Sequence, residues 1–114
     1  MLSSGDVVDL DLGAPTGREA GFLHPAVVVT AQPVIDQGPN VVHVVPLTAT
    51  IRGFGSEVPI EPEVRNGLDR LSAAQCQHIR AVSVARVDQV RGNVGPTVLT
   101  RIRDVLGLIL DIPS

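Results

Sequence analysis

The chain has 114 residues, a mass of 12.0 kDa and a formal charge of −3, enough for one hydrophobic core. Its nine cations are all Arg, and the acidic balance excludes a uniformly basic nucleic-acid coat while leaving room for a local positive patch. Aromatic residues are only 2%, so the core is aliphatic and a single-strand binder built on rows of stacking rings is excluded.

Glycine and proline punctuate the first two thirds of the chain, and short β-branched runs lie between them, the pattern of an all-β module. Gly5 to Leu12 reads as a strand, with Asp6, Asp9 and Asp11 marking a wet face. A loop over 13–23 follows, longer than a usual hairpin connection and therefore a candidate functional segment. Pro25 to Ala31 is almost continuously apolar, which predicts burial on both faces. Residues 32–40 are a turn-rich connector. Val41 to Leu47 is a third strand containing His43, and 48–55 a polar loop. Ser56 to Ile60 is a short strand whose Pro59 argues for an edge. After the Asn66-Gly67 turn, Leu71 to Ala81 reads as a fifth strand, Ser83 to Val87 as one helical turn and Val90 to Val94 as a further extended piece. From Pro96 to about residue 110, the spacing of Leu99, Ile102, Val105, Leu106, Ile109 and Leu110 predicts an amphipathic helix packing that stripe on the β module.

The apolar runs fall far short of the roughly 18 residues a membrane span needs. The N-terminus has no basic start, and its Asp residues would interrupt any signal-peptide core, so the chain reads as cytoplasmic. Cys76 has no partner for an internal disulfide and reads as a small buried hydrophobe in a reducing compartment. His24, His43 and His78 have no metal-ligand spacing, and there is no phosphate-binding glycine loop; no cofactor and no metal are expected. Residues 64–103 hold seven Arg against two Asp, either a local positive surface or ordinary solvated side chains.

Three features carry chemistry. His24 stands where the 13–23 loop enters a buried strand, a place from which a fixed side chain can still face water; it is equally a strand-start histidine without a task. Thr48 and Thr50 put hydroxyls where a buried strand ends, a placement packing alone also explains. Gln77-His78-Ile79-Arg80 puts polar groups in the fifth strand, as any alternating wet face would.

In this order the pieces resemble a family. "GDVVDLDLG", "GREAGFLHPAVVV", "VVPLTAT" and "QHIRAV", followed by the closing helix, are similar to the MazF/PemK/Kid-type toxins of type II toxin–antitoxin pairs over nearly the whole chain. The resemblance implies one domain over 1–114. Its fold would be mainly β with a C-terminal α-helix: a small SH3-like β-barrel of the CcdB/MazF/PemK type over about 4–94, with the helix over about 96–110. It implies a homodimer that cleaves single-stranded mRNA as a metal-independent, sequence-specific endoribonuclease (an mRNA interferase) and inhibits translation and growth. The cognate antitoxin would silence it with an acidic, apolar C-terminal tail. Glu19 and Thr48 match the family's loop Glu and strand-end Thr, whereas His24 occupies the position of an Arg that handles the scissile phosphate with that Thr. The implied catalytic set is therefore His24, Thr48 and Glu19, with Arg18, Gly21, Phe22, Thr50, Arg52, Gln77 and Arg80 for RNA binding. Arg supplies permanent charge and a fork for two oxygens; His supplies a proton or a charge and titrates near neutrality as a residue type. The exchange leaves a second reading, a weak or inactive member that binds a protein such as gyrase or an antitoxin.

Overall fold

The computed structural model describes residues 1–13 and 23–113. Its strands are β1 (Asp6–Asp11), β2 (Leu23–Val28), β3 (Val41–Thr48), β4 (Glu57–Ile60), β5 (Ser72–Gln75), β6 (Arg80–Ser83) and β7 (Val87–Asn93). One helical turn, α1 (Gln32–Ile35), follows β2, and α2 (Gly95–Ile109) closes the chain. The strands form one sheet in the order β4-β5-β3-β2-β1-β7, with β6 on β3 and every printed pairing antiparallel. Among the described residues the end strands β4 and β7 do not pair, so the barrel-like sheet stays open. The mainly-β architecture with a terminal helix agrees with the sequence expectation.

β3 organises the sheet. One edge of it takes β6 along Val41–Val44 and then β5 along Leu47–Thr48; the other takes β2. The fifth strand expected over 71–81 is therefore two strands. A 3-10 turn at Cys76–His78 separates β5 from β6 and lets both follow the same neighbour. Pro59 does lie on the edge strand β4, where its missing N–H leaves no gap in a ladder.

Both faces of the sheet are covered, which explains the apolar run in β2. Val27 joins Val7, Val45 and Leu47 under α2, while Ala26 and Val28 join Val8, Leu10, Val42 and Val44 on the other side. From α2, Leu99, Ile102 and Leu106 reach the first cluster. The expected stripe is too long, because Ile109 and Leu110 are exposed beyond the sheet together with Leu108 and Ile112.

The first strand also departs from its expected wet face: Asp6 and Asp9 are buried, and only Asp11 is exposed. Each buried carboxylate has partners that the local sequence does not show. Asp6 accepts from the Ser3 amide (2.7 Å) and from Asn93 Nδ2 (3.1 Å). Asp9 accepts from Gln89 Nε2 (2.7 Å) beside Arg91. A buried carboxylate is tolerated only when it is hydrogen-bonded in this way.

The 61–70 loop is held against β7. Asn66, 1% exposed, accepts from the Glu63 and Leu68 amides and donates to the Glu61 carbonyl. Gly92 permits the contact, because a Cβ there would lie 2.3 Å from the Arg65 carbonyl oxygen. Docking this loop brings Leu68, Asp69 and Arg70 to the end of the sheet where β2 begins and β3 ends.

Candidate nuclease site

His24 belongs to β2 and is half-buried; across the first pairing it faces Leu10 of β1. Thr48 is the last residue of β3 and is also half-buried. The β2–β3 ladder runs Val28↔Val44, Val27↔Val45, Ala26↔Pro46, and it stops where Pro25 and Pro46 have no N–H to give. Continuing that register by two residues sets His24 opposite Thr48 on one face of the sheet, since side chains alternate with period two. The register thus assigns two residues 24 positions apart in the chain to one face at the same sheet end, just beyond the last ladder pair Ala26↔Pro46. Arg80, opposite Val44, shares that face but lies four residues further along β3, about 13 Å at the usual strand rise.

The Thr48 hydroxyl is oriented by its own turn: its oxygen accepts from the Thr50 amide at 3.0 Å, which leaves the O–H to donate outward. Thr50 and Arg52 are exposed on the loop that follows. Gln77 is exposed in the 3-10 turn between β5 and β6, at the flank of β3 rather than beside Thr48. Arg18, Glu19, Gly21 and Phe22 lie outside the described residues.

A cleft of about 330 Å³ opens beside Thr48. Its apolar walls are Leu23, Pro25, Leu47 and Leu68, and its polar groups include Asp9, Asp69, Arg70, Ser72 and Arg91. His24 does not line it, because it lies on the opposite face of β2 from Leu23 and Pro25. Thr48, at the strand end, is the residue common to the cleft and the His24 face. The Arg91 Nε lies 3.6 Å from Asp9 Oδ2, with the two side chains 28% and 10% exposed. Sequence reasoning passed over this pair because positions 9 and 91 meet only through the β1–β7 pairing, whose register shifts beside both Val8 and Asp9.

Glu57 is a second group that sequence reasoning missed. It is buried at the start of β4, and its Oε1 accepts the amides of Arg52, Gly53 and Phe54 at 3.1, 2.8 and 3.3 Å. It therefore shapes the loop that presents Arg52 and Phe54. Its Oε2 is buried and accepts no hydrogen bond. Cys76 is fully buried in the main core; burial pushes its thiol up from 9.0 to about 11, so the thiolate needed for nucleophilic chemistry is disfavoured.

The pattern of the PemK-like, MazF-like toxins of type II toxin–antitoxin systems matches residues 3–110. The chain belongs to that family. Endoribonuclease MazF9 of Mycobacterium tuberculosis (strain ATCC 25618 / H37Rv) is 29% identical over 118 residues, covering 100% of both chains. Among solved structures, the chain is similar to an endoribonuclease in complex with its cognate antitoxin from a mycobacterial species, with 20% identity, a TM-score of 0.79 and coverage of 100% of this chain and 99% of that one. It is also similar to MazE-MazF (Form-II) from Deinococcus radiodurans, with 21% identity, a TM-score of 0.79 and coverage of 98% and 97%. These likenesses extend the family's fold over the whole sheet and its closing helix. Among the described residues no helix is long and apolar enough to cross a membrane.

Proposed function

We propose that this family member is a cytoplasmic endoribonuclease toxin, a single functional domain that cuts single-stranded mRNA at short sequences with the RNA's own 2′-OH as nucleophile. The observation that carries the reading is the β2–β3 register, which extended two residues past Ala26↔Pro46 puts His24 and Thr48 on one face at the same sheet end, with a ligand-sized cleft at Thr48. The relative MazF9 is an endoribonuclease, which supports the same activity here.

Attack of the 2′-oxygen on phosphorus needs a base for the 2′ proton, an acid for the departing 5′-oxygen and donors for the charge that builds on the phosphoryl oxygens. His24 exchanges a proton with the reacting oxygens, and the outward Thr48 O–H donates to a phosphoryl oxygen. Glu19 is the candidate partner in proton transfer. The P–O5′ bond breaks as the P–O2′ bond forms, leaving a 2′,3′-cyclic phosphate and a 5′-OH. Because the nucleophile is part of the substrate, the step requires no metal-bound water. Arg18, Gly21, Phe22, Thr50, Arg52, Gln77 and Arg80 are the proposed RNA contacts around it.

The protein works as a homodimer and is silenced by an antitoxin whose acidic, apolar tail folds onto the toxin, a mode suited to covering a large surface. The complex of a structurally similar endoribonuclease with its cognate antitoxin supports that partnership.

Purified protein incubated with long single-stranded RNA in EDTA between about pH 5.5 and 8.5, a range bracketing histidine titration, is expected to yield fragments ending in cyclic phosphate. His24→Ala and Thr48→Ala each abolish the cutting. Absence of cleavage across that range removes the assignment, and unchanged cutting by either variant removes that residue's role. His24 in place of the family Arg favours one other reading, a non-catalytic protein-binding member. If His24→Arg creates cutting where the native protein shows none, that second reading stands.

A further inference from the structure

The cleft beside Thr48 has the makings of a base-reading pocket. Leu23, Pro25, Leu47 and Leu68 offer apolar surface to a flat ring. Its volume of about 330 Å³ is at the small end of ligand-sized clefts. Arg70 and Arg91 are each next to a carboxylate, Asp69 at 3.8 Å and Asp9 at 3.6 Å. The charges in the cleft therefore balance, which disfavours a second phosphate there and favours a neutral polar group.

The ion pair also orients Arg91. Its Nε turns toward Asp9 Oδ2, and Gln89 Nε2 fixes the same oxygen at 2.7 Å. No hydrogen bond from either Arg91 Nη joins it to another described residue. With Nε on the Asp9 side, the planar guanidinium presents two parallel N–H groups on its far edge, the fork that matches the O6 and N7 acceptors of guanine. Adenine puts a donor where guanine has O6, and uracil has an N3–H between its carbonyls. Cytosine's N3 and O2 form the other adjacent acceptor pair, on a smaller ring that offers less surface to the apolar lining, and comparison of GMP with CMP separates the two.

We propose that this cleft receives the base of the nucleotide next to the phosphate at Thr48, and that Arg91 makes the protein select guanine there. The proposal rests on the nuclease reading for its placement along the RNA. Arg91 is a specificity residue, and Asp9 and Gln89 position it.

The test is an NMR titration of the intact ¹⁵N-labelled protein with GMP, AMP, CMP and UMP, joined to cut-site mapping on a long RNA. Because all four mononucleotides share the phosphate and ribose, any difference comes from the base. GMP is expected to shift the amides of 68–72 and Arg91, binding roughly tenfold tighter than AMP. Arg91→Met removes that preference. Arg91→Lys keeps a cation for Asp9 but lacks the fork and also loses it, so the test survives if the Met variant fails to fold. Mapped cut sites carry a guanine next to the scissile bond in the wild type, and the requirement relaxes at that position alone in the variants. Equal shifts with all four nucleotides, shifts confined to other residues, or a guanine preference that survives in Arg91→Lys would overturn the proposal. Base-selective binding without RNA cleavage sinks the nuclease reading and leaves the pocket; cleavage without guanine preference sinks the pocket and leaves the nuclease.

Discussion

Replacing Glu57 with Ala removes the one oxygen that gathers three consecutive backbone amides in the loop after Thr48. A hydrogen bond to a charged group contributes about 1.5–3 kcal/mol net. The three bonds do not add in full, because they share one acceptor and the bond to Phe54 is long at 3.3 Å. Two effects offset the loss further. Residues 51–55 are exposed, so water can take over the released amides, and removing Glu57 also relieves the burial of an Oε2 that accepts nothing. The expected balance is a destabilisation of about 2 kcal/mol, a fall in Tm of roughly 8 °C at about 4 °C per kcal/mol. Glu57→Gln keeps a carbonyl oxygen but loses the charge, and falls between the wild type and Ala. Urea unfolding at fixed protein concentration measures the stability, and hydrogen exchange at the amides of 52–54 reports the clamp itself. These amides are protected in the wild type and exchange freely in Glu57→Ala. A change below about 0.5 kcal/mol, the scatter of ordinary surface substitutions, together with unchanged exchange at 52–54, would refute the argument that this carboxylate holds the loop.

The remaining structural predictions concern the core and the docked loop. Cys76 should resist thiol reagents at pH 8 in the folded protein and react once denaturant exposes it, which a timed thiol assay checks. Its folded pKa lies above the unfolded value, so the folded state binds more protons between them. The contribution is complete below pH 9.0 and is lost as pH rises toward about 11; it is at most roughly 2–3 kcal/mol. Stability curves for wild type and Cys76→Ala should therefore converge in slope below pH 9 and separate above it. Gly92→Ala should cost roughly 1–3 kcal/mol by driving a methyl group against the Arg65 carbonyl and Asn66 backbone. Denaturant midpoints check the size of that loss, and amide shifts confined to 61–70 and β7 check its origin.

Much of the architecture was written in local pattern. The apolar run of β2, the Pro59 edge, the 3-10 turn after Ser83 and the helix beginning at Gly95-Pro96 all follow from properties of neighbouring residues: β-branching, a missing N–H, three-and-four spacing. The sequence likewise singled out His24 and Thr48, because a residue at a loop-to-strand junction and a hydroxyl at a strand end are recognisable in one dimension. Other features have no local signal. Splitting 71–81 into β5 and β6 depends on how far β3 extends beside them, and α2 packs on β4 and the 3-10 turn at Cys76–His78, leaving Ile109 and Leu110 outside. Asp9 looked like a solvated residue until β7 brought Gln89 and Arg91 to it from 80 and more positions away. Periodicity reports what a residue's own backbone does with it, whereas burial of a charge and the assembly of a cleft depend on which distant strand arrives alongside and in what register, and that is settled only when the sheet forms.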